Sequence, residues 1–202
     1  MDYSFLRDNK VVPVVVINKI EDTESIISAL LEGGIRVAEI TFRTQCARDA
    51  IELASSKFGD MCIGAGTVIS GQQCREAISA GAQFIVSPGF SDEVLDVANE
   101  YGVPYLPGVI TPTEVMHAIA RGVEVVKFFP AGVYGGIKAI KALSQAFPKV
   151  KFMPTGGVDL GNLADFLCLP CVVSAGGSFM FKGDRQHIVD KCREALEIVE
   201  AL

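Results

Sequence analysis

The stretch VVKFFP at residues 125–130 is a short apolar run with one lysine in its middle. Because Pro130 ends the run and Gly132 follows it, the run predicts a buried β-strand. Burying an ammonium group is costly, and a buried lysine commonly sheds its proton instead. A neutral amine on a rigid strand is a nucleophile towards carbonyl carbons, as Schiff-base enzymes require. The alternative is that Lys127 lies at a strand end and extends its head group into water.

Similar apolar runs alternate with longer amphipathic segments along the whole chain, at intervals of roughly 20 to 25 residues that match βα units. The predicted strands cover residues 11–17, 37–42, 62–68, 84–87, 105–109, 125–129, 151–154 and 172–174. Helices are predicted between them, for example over residues 22–32, 91–101 and 111–121. Eight such units in a row favour an α/β fold of the closed (β/α)8 TIM barrel type over an open sheet. We expect a single barrel domain over residues 1–202, with a short N-terminal helix at 3–9.

The charge and the composition of the chain limit its partners. Its 202 residues carry 18 Lys and Arg against 24 Asp and Glu, which gives a net charge of −6. This balance argues against nucleic acid or an anionic membrane as a partner, although a cleft can still attract a small anionic substrate. The N-terminus lacks the pattern of a signal peptide, and no apolar run approaches the ~20 residues that span a bilayer. The sequence therefore predicts a cytoplasmic protein.

The cysteines and histidines do not predict a metal centre. Six cysteines are scattered through segments that are predicted to be buried, where cysteine is usually a small core residue. Cys168 and Cys171 have CxxC spacing, but no second pair completes a zinc site. With only two histidines, His117 and His187, a metal-dependent enzyme is not favoured. We therefore expect no metal.

In a barrel of this kind the active site lies at the carboxyl ends of the strands, and side chains alternate between the two faces of each strand. Within VAEITF at residues 37–42, the apolar positions suit contact with helices, which leaves Glu39 and Thr41 pointing inward. Lys127 and Phe129 share one face of the sixth predicted strand. A carboxylate beside an amine can move protons around an imine, or the two can form a structural ion pair.

Further candidates lie at the ends of other predicted strands. Arg43 follows the second strand, where it either grips a substrate carboxylate or caps a loop. GAGT at residues 64–67 ends the third strand with little side-chain bulk, which would let a small ligand approach the threonine hydroxyl. TGG at 155–157 and GGS at 176–178 end the seventh and eighth strands. Loops at those two places form the common phosphate site of this fold, with backbone N–H groups and the serine hydroxyl as donors.

These residues together resemble the 2-keto-3-deoxy-6-phosphogluconate (KDPG) aldolases, a family that includes the 4-hydroxy-2-oxoglutarate (KHG) aldolases. The resemblance runs from about Val11 to Met180. Its motifs are EITFRT (39–44), GAGTV (64–68), SPG (87–89), PGV (107–109), KFFPA (127–131), PTGGV (154–158) and GGS (176–178). The resemblance implies a class I aldolase without a metal or a cofactor, since its lysine supplies the electron sink, and it implies a cytoplasmic homotrimer acting in the Entner–Doudoroff pathway. The implied ligands are pyruvate and a phosphorylated 2-keto-3-deoxy sugar acid.

The resemblance also implies a role for each matching residue. Lys127 is the expected Schiff-base lysine, and Glu39 is the expected general acid and base. The other expected roles are binding of the substrate carboxylate by Arg43 and Thr67, pocket walls from Pro88 and Phe129, and phosphate binding by Gly156, Gly157, Gly177 and Ser178. The loop at residues 132–136 departs from the more polar stretch expected after KFFPA, which leaves the specificity for the aldehyde half open.

The expected reaction is the reversible cleavage of KDPG to pyruvate and glyceraldehyde 3-phosphate, and also of KHG to pyruvate and glyoxylate. One alternative is another phosphate-binding barrel enzyme, an isomerase or epimerase, in which Lys127 is only an electrostatic group. The other is a catalytically silent sugar-phosphate binding protein. The sequence does not decide the preference among gluconate, galactonate and oxoglutarate substrates, or the stereochemistry at C4.

Overall fold

Parallel strands alternate with helices along the chain, in a computed structural model that describes residues 2–181 and 183–202. The strands are β1 (Val11–Val15), β2 (Val37–Thr41), β3 (Cys62–Gly66), β4 (Ile85–Val86), β5 (Tyr105–Leu106), β6 (Gly108–Val109), β7 (Val125–Phe128), β8 (Lys151–Pro154) and β9 (Ala175–Gly177). The helices are α1 (Ser4–Asp8), α2 (Thr23–Glu32), α3 (Ala47–Lys57), α4 (Gly71–Ser79), α5 (Asp92–Tyr101), α6 (Pro112–Ala120), α7 (Gly136–Ala146), α8 (Leu163–Leu167) and α9 (Arg185–Glu200). The predicted α/β class and the short N-terminal helix are confirmed.

The strands form two sheets rather than one closed ring of eight. A six-stranded sheet has the order β5-β4-β3-β2-β1-β9, and a three-stranded sheet has the order β6-β7-β8. Two isolated parallel bridges, Phe152 with Val172 and Thr155 with Gly176, connect the end of the smaller sheet to the region of β9. The prediction of a barrel-like parallel fold is therefore confirmed only in part, since the described residues do not form a single eight-stranded sheet.

The fifth predicted strand, at residues 105–109, is divided by Pro107 into β5 and β6. β5 pairs with β4 in the larger sheet, whereas β6 pairs with β7 in the smaller one. Proline has no amide hydrogen for a ladder, so a change of partner at this position is accommodated easily. The Pro107 carbonyl nevertheless accepts a hydrogen bond from the Lys127 amide at 2.8 Å.

The eighth predicted strand, at residues 172–174, is wrong in position. The paired segment is β9, and Val172 takes part only in an isolated bridge. The prediction followed the β-branched valines, whereas small residues form the strand. A Cβ on Gly176 would lie 2.5 Å from Thr155 Oγ1, so only glycine lets these two segments approach each other. Gly176 and Gly177 therefore belong to the strand and not to a loop after it.

Pro13 lies inside β1, where it cannot donate a ladder hydrogen bond. β1 pairs with β9 through residues 11–13 and with β2 through Val14 and Val15. Pro13 therefore precedes the registered pairing with β2, and the missing donor falls at the edge of that ladder.

Side chains cap the starts of three helices. Ser70, Ser91 and Thr111 accept hydrogen bonds from the backbone of the first turns of α4, α5 and α6. Thr111 and Glu114 also form a capping box. The core between the helices and the sheets is apolar and includes four large aromatic side chains, Phe84, Tyr105, Phe128 and Phe152, that are fully buried. Among the described residues, no helix is both long and apolar enough to cross a membrane.

Candidate active site

A buried carboxylate and a buried amine meet inside the fold. Lys127 Nζ lies 3.3 Å from Glu39 Oε1, and the side chains are 4% and 0% exposed. Glu39 comes from β2 of the larger sheet and Lys127 from β7 of the smaller one. The inward orientation predicted for both residues from strand alternation therefore brings them into contact across the interior, 88 positions apart in the sequence.

The glycines of β3 provide the space that Glu39 needs. A Cβ on Gly66 would lie 2.1 Å from Glu39 Oε1, and a Cβ on Gly64 would lie 2.3 Å from the ring of Phe84. Since real Cβ contacts are much longer, any larger residue would displace these side chains. The space that Gly64 and Gly66 leave is thus filled by the protein's own side chains, whereas Thr67, which follows them, lines the cavity described below.

The amine of Lys127 also faces an aromatic ring. Its Nζ lies 4.9 Å from the centroid of the Phe129 ring, in the geometry of a cation–π contact. The Glu39 carboxyl group is within reach of this amine and can exchange a proton with it during a reaction. An amine that has given up its proton is a nucleophile towards carbonyl carbons.

A cavity of about 390 Å³ opens next to this pair. Its lining includes Val14, Val16, Arg43, Thr67, Pro88, Lys127, Phe129, Thr155, Gly156, Gly157, Val158, Gly177 and Ser178. Every site residue predicted from the sequence is in that lining, except Glu39, which lies behind the lysine. The prediction missed the valines and Thr155. Alternation along β1 could have indicated Val14 and Val16, and Thr155 lies directly before the predicted glycine pair.

Arg43 and Thr67 form one side of the mouth of the cavity. Arg43 is exposed, and its Nε donates a hydrogen bond to Thr67 Oγ1 at 3.1 Å. This bond leaves the two terminal nitrogens of the guanidinium without a partner among the described residues. Thr67 has a φ of 57°, the one positive value of a non-glycine residue in the described part of the chain. Such strain is characteristic of functional sites, and Thr67 is part of the lining of the cavity.

The opposite side of the cavity is built from backbone. Gly156 and Gly157 have φ values of 82° and 87°. A residue with a side chain would be strained in this conformation. A Cβ on Gly157 would also lie 2.9 Å from the Cα of Gly132. Gly156 takes part in the bridge between Thr155 and Gly176, whereas the amides of Gly157 and Ser178 have no acceptor among the described residues. Unpaired N–H groups in the lining of a cavity can bind an anion.

Several polar atoms inside the fold also have no protein partner. Glu39 Oε2, Thr41 Oγ1 and Thr155 Oγ1 are buried and make no hydrogen bond to the described residues. Most buried polar groups in proteins are hydrogen-bonded, so a cluster of exceptions near a cavity indicates that these atoms serve a ligand or a reaction.

The cysteines and histidines lie apart from the cavity. Burial raises the pKa of the Cys62 and Cys74 thiols to about 11 and that of Cys192 to about 12, as expected for inert core residues. Cys168, in contrast, is exposed. Over residues 2–181 and 183–202, no group of three His, Cys, Asp or Glu side chains has the arrangement to hold a metal ion.

The sequence and the fold both match known proteins. The family model for KDPG and KHG aldolase matches residues 3–194. A 2-dehydro-3-deoxy-phosphogluconate aldolase of Dickeya dadantii is 43% identical over 197 residues, which are 95% of this chain and 92% of the relative. The KHG/KDPG aldolase of Escherichia coli K12 is 41% identical over 200 residues, which are 96% of this chain and 94% of the relative.

One solved structure bears directly on the chemistry of such a cavity. It is the crystal structure of a KDPG aldolase from Legionella pneumophila, with pyruvate captured as a covalent carbinolamine intermediate. It is 39% identical to this chain and superimposes with a TM-score of 0.88 over 98% of this chain and 96% of its own.

Proposed function

This chain belongs to the KDPG and KHG aldolase family, and we propose that it is a class I aldolase that cleaves KDPG to pyruvate and glyceraldehyde 3-phosphate. The observation that carries the proposal is the buried contact of 3.3 Å between Glu39 and Lys127 beside the cavity. A carbon–carbon lyase of this kind needs an amine that can form an imine and a neighbouring group that moves protons. The Legionella enzyme forms a covalent carbinolamine with pyruvate, which is the first intermediate of that route.

The reaction begins when the neutral amine of Lys127 attacks the C2 ketone of the substrate. Glu39 accepts the proton that the nitrogen loses and donates a proton to the departing hydroxyl, directly or through water. Loss of water converts the carbinolamine into a protonated imine. The nitrogen of this imine is an electron sink, so no cofactor is required.

Cleavage then breaks the bond between C3 and C4. The C4 hydroxyl gives its proton to Glu39, directly or through water, and becomes the carbonyl of the aldehyde product, while the bonding electrons move into the imine and leave an enamine on Lys127. The same carrier returns the proton to C3 of the enamine, which gives the imine of pyruvate, and hydrolysis releases pyruvate and restores the amine. The same steps in reverse form the carbon–carbon bond.

The two ends of the substrate are held by different groups. Arg43 has two terminal nitrogens available for a bidentate contact with the substrate carboxylate, and the Thr67 hydroxyl is fixed beside it. The phosphate is held by backbone N–H groups of Gly157 and Ser178, with Gly156 and Gly177 allowing close approach. The rings of Pro88 and Phe129 form the walls between these ends.

KHG is a second candidate substrate, because the Escherichia coli relative is named KHG/KDPG aldolase. KHG contains the same 2-keto acid but lacks the phosphate, so it would use the Lys127 side of the cavity alone. An isomerase or epimerase does not need a covalent lysine, and a silent binding protein would not need a proton carrier beside it. The Glu39–Lys127 contact and the family therefore both favour the aldolase.

We also propose that the two sheets close into a single (β/α)8 barrel domain. The two bridges near β9 support closure on one side, and β5 and β6 act as one bent strand on the other, since they pair with β4 and β7 respectively. We further propose a homotrimer that acts in the cytoplasm in the Entner–Doudoroff pathway. Exposed apolar side chains available to a trimer contact include Ile69, Met116 and Ile119.

Steady-state kinetics with three substrates tests the proposal. Pyruvate release is measured with KDPG, with its galactonate epimer at C4 and with KHG. We expect the highest kcat/KM for KDPG and a lower value for KHG, which lacks the phosphate contacts. If none of the three substrates released pyruvate, the aldolase assignment would be refuted.

A further inference from the structure

One oxygen of the Glu39 carboxyl group is not accounted for by the contact with Lys127. Oε1 meets the lysine, but Oε2 is buried and has no hydrogen-bond partner among the described residues. Burying an unpaired oxygen of a carboxylate is unfavourable, because water would otherwise solvate it. A group that carries protons during a reaction also needs its second oxygen oriented. The residue that could provide this orientation must be polar, buried and adjacent.

Thr41 meets these conditions. It follows Glu39 by two positions in β2, so both side chains lie on the same face of the strand. It is fully buried, and its hydroxyl has no partner among the described residues. Thr41 is the registered neighbour of Gly66 in β3, and Glu39 Oε1 lies 2.1 Å from the position that a Cβ on Gly66 would take. Since neighbouring strands are about 4.8 Å apart, the Glu39 carboxyl group and Thr41 are neighbours on this face of the sheet, although they make no direct hydrogen bond.

We propose that Thr41 is a positioning residue for Glu39 during turnover. The inference rests on the proposed function, in which Glu39 alternates between a carboxylate and a carboxylic acid. When the Lys127 nitrogen becomes part of an imine, it loses hydrogens that it could donate to Glu39. The carboxyl group then turns towards the Thr41 hydroxyl, directly or through one water. A hydroxyl suits this purpose because it donates to a carboxylate and accepts from a carboxylic acid.

Packing alone does not explain a threonine at this place. Valine has nearly the same shape and would fill the same space in β2 without burying an unpaired hydroxyl. On packing alone, valine would therefore be expected at this position. A hydroxyl at this position is explained if it hydrogen-bonds Glu39 when that group changes between a carboxylate and a carboxylic acid.

The test compares Thr41→Val with Thr23→Val. Thr23, in α2, is also fully buried with an unpartnered hydroxyl, so the second variant makes the same chemical change away from the cavity. We expect Thr41→Val to lower kcat for KDPG about tenfold, the loss of one hydrogen bond to a charged group, with KM changed less than about twofold. The exchange of the methyl protons of pyruvate with solvent should fall in parallel. Thr41→Ser keeps the hydroxyl, so both rates should stay near those of the wild type, and Thr23→Val should leave both rates unchanged.

A double-mutant cycle with Glu39→Gln shows whether Thr41 acts through Glu39. In the Glu39→Gln background, Thr41→Val should have no further effect on kcat. An equal loss in both backgrounds, or a wild-type kcat for Thr41→Val, would overturn the inference. If Glu39→Gln itself kept the wild-type kcat, the proposed role of Glu39 would be wrong instead. If Thr41→Val does not fold, Thr41→Ala compared with Thr41→Ser makes the same comparison.

Discussion

The two ends of the cavity use different parts of the chain, side chains at one end and backbone amides at the other. At one end, Glu39 and Lys127 are buried side chains that extend from the interior of strands and touch each other. At the other end, Gly157 and Ser178 present backbone amides, and Ser178 is exposed. Covalent chemistry needs two particular functional groups at a fixed separation, which rigid strands provide. Binding of an anion needs only converging N–H dipoles, which glycines provide without any charge.

The distribution of charge follows the same division. Arg43 and Lys127 are the cationic side chains in the described lining of the cavity, and both lie at the end assigned to the 2-keto acid. The end formed by Gly156, Gly157 and Ser178, here called the glycine end, has no lysine or arginine in that lining. The end with Glu39 and Lys127, here called the reacting end, should therefore lose activity when either functional group is changed, whereas the glycine end should respond to added charge or bulk. Each of the following experiments tests one side of this division.

The largest effect is expected for Lys127→Arg. A guanidinium keeps the positive charge but cannot become a neutral nucleophile at ordinary pH, so the imine cannot form. We expect kcat for pyruvate release to fall by at least about 10³-fold for both KDPG and KHG. Lys138→Arg on the exposed surface of α7 is the control and should keep full activity. Substantial activity in Lys127→Arg would place the nucleophile elsewhere.

The next effect is expected for Glu39→Gln. The amide is nearly isosteric with the carboxyl group but cannot carry protons, so kcat should fall by roughly 10²- to 10⁴-fold while the imine still forms, only more slowly. The measurements are kcat, the rate of imine formation and the melting temperature. A near-normal kcat with a lower melting temperature would identify the carboxylate as a structural partner of a buried amine, because breaking such a pair is strongly destabilising.

A smaller effect, limited to one substrate, is expected at the glycine end. Ser178→Asp places a negative charge next to the proposed phosphate site, and Ser178→Asn is the neutral control of similar size. We expect Ser178→Asp to raise KM for KDPG at least about tenfold by repulsion, with little change for KHG. The asparagine variant should change both only slightly. Equal losses on KDPG and KHG in Ser178→Asp would mean that the phosphate binds elsewhere.

Ser178 is preferred to Gly177 for this experiment. A Cβ on Gly177 would lie 2.6 Å from Phe179 Cδ1, so a larger residue there would disturb the packing of β9 as well as the cavity.

The smallest effect is expected from a chelator. In the proposed mechanism the imine nitrogen is the electron sink, so the reaction has no step that a Lewis acid must assist. Dialysis against EDTA should change kcat less than about twofold for either substrate. Loss of activity that is restored by a divalent cation would place the enzyme in the metal-dependent mechanistic class.

The sequence predicted the reacting end better than the rest, for a physical reason. A charged residue inside an apolar strand is conspicuous, and the alternation of side chains gives its direction, so Glu39 and Lys127 could be placed together before the structure was known. Glycine is ambiguous in sequence, because a turn, a strand and a close contact all use it. Gly176 was therefore predicted in a loop although it lies in a strand, and the contact of Gly66 with Glu39 was not foreseen.

Features that depend on tertiary neighbours were also missed. The positive φ of Thr67 has no signature in a single sequence, since threonine rarely adopts it. The division of the fifth predicted strand at Pro107 depends on a change of partner strand, which local propensity does not report.

Trapping with borohydride in the presence of pyruvate tests the central claim most directly. Reduction converts the imine into a stable secondary amine, and peptide mass mapping locates the added pyruvyl group. We predict the reduced adduct on the peptide that contains Lys127, and no adduct in Lys127→Arg. An adduct on a different lysine, with none on Lys127, would contradict the account.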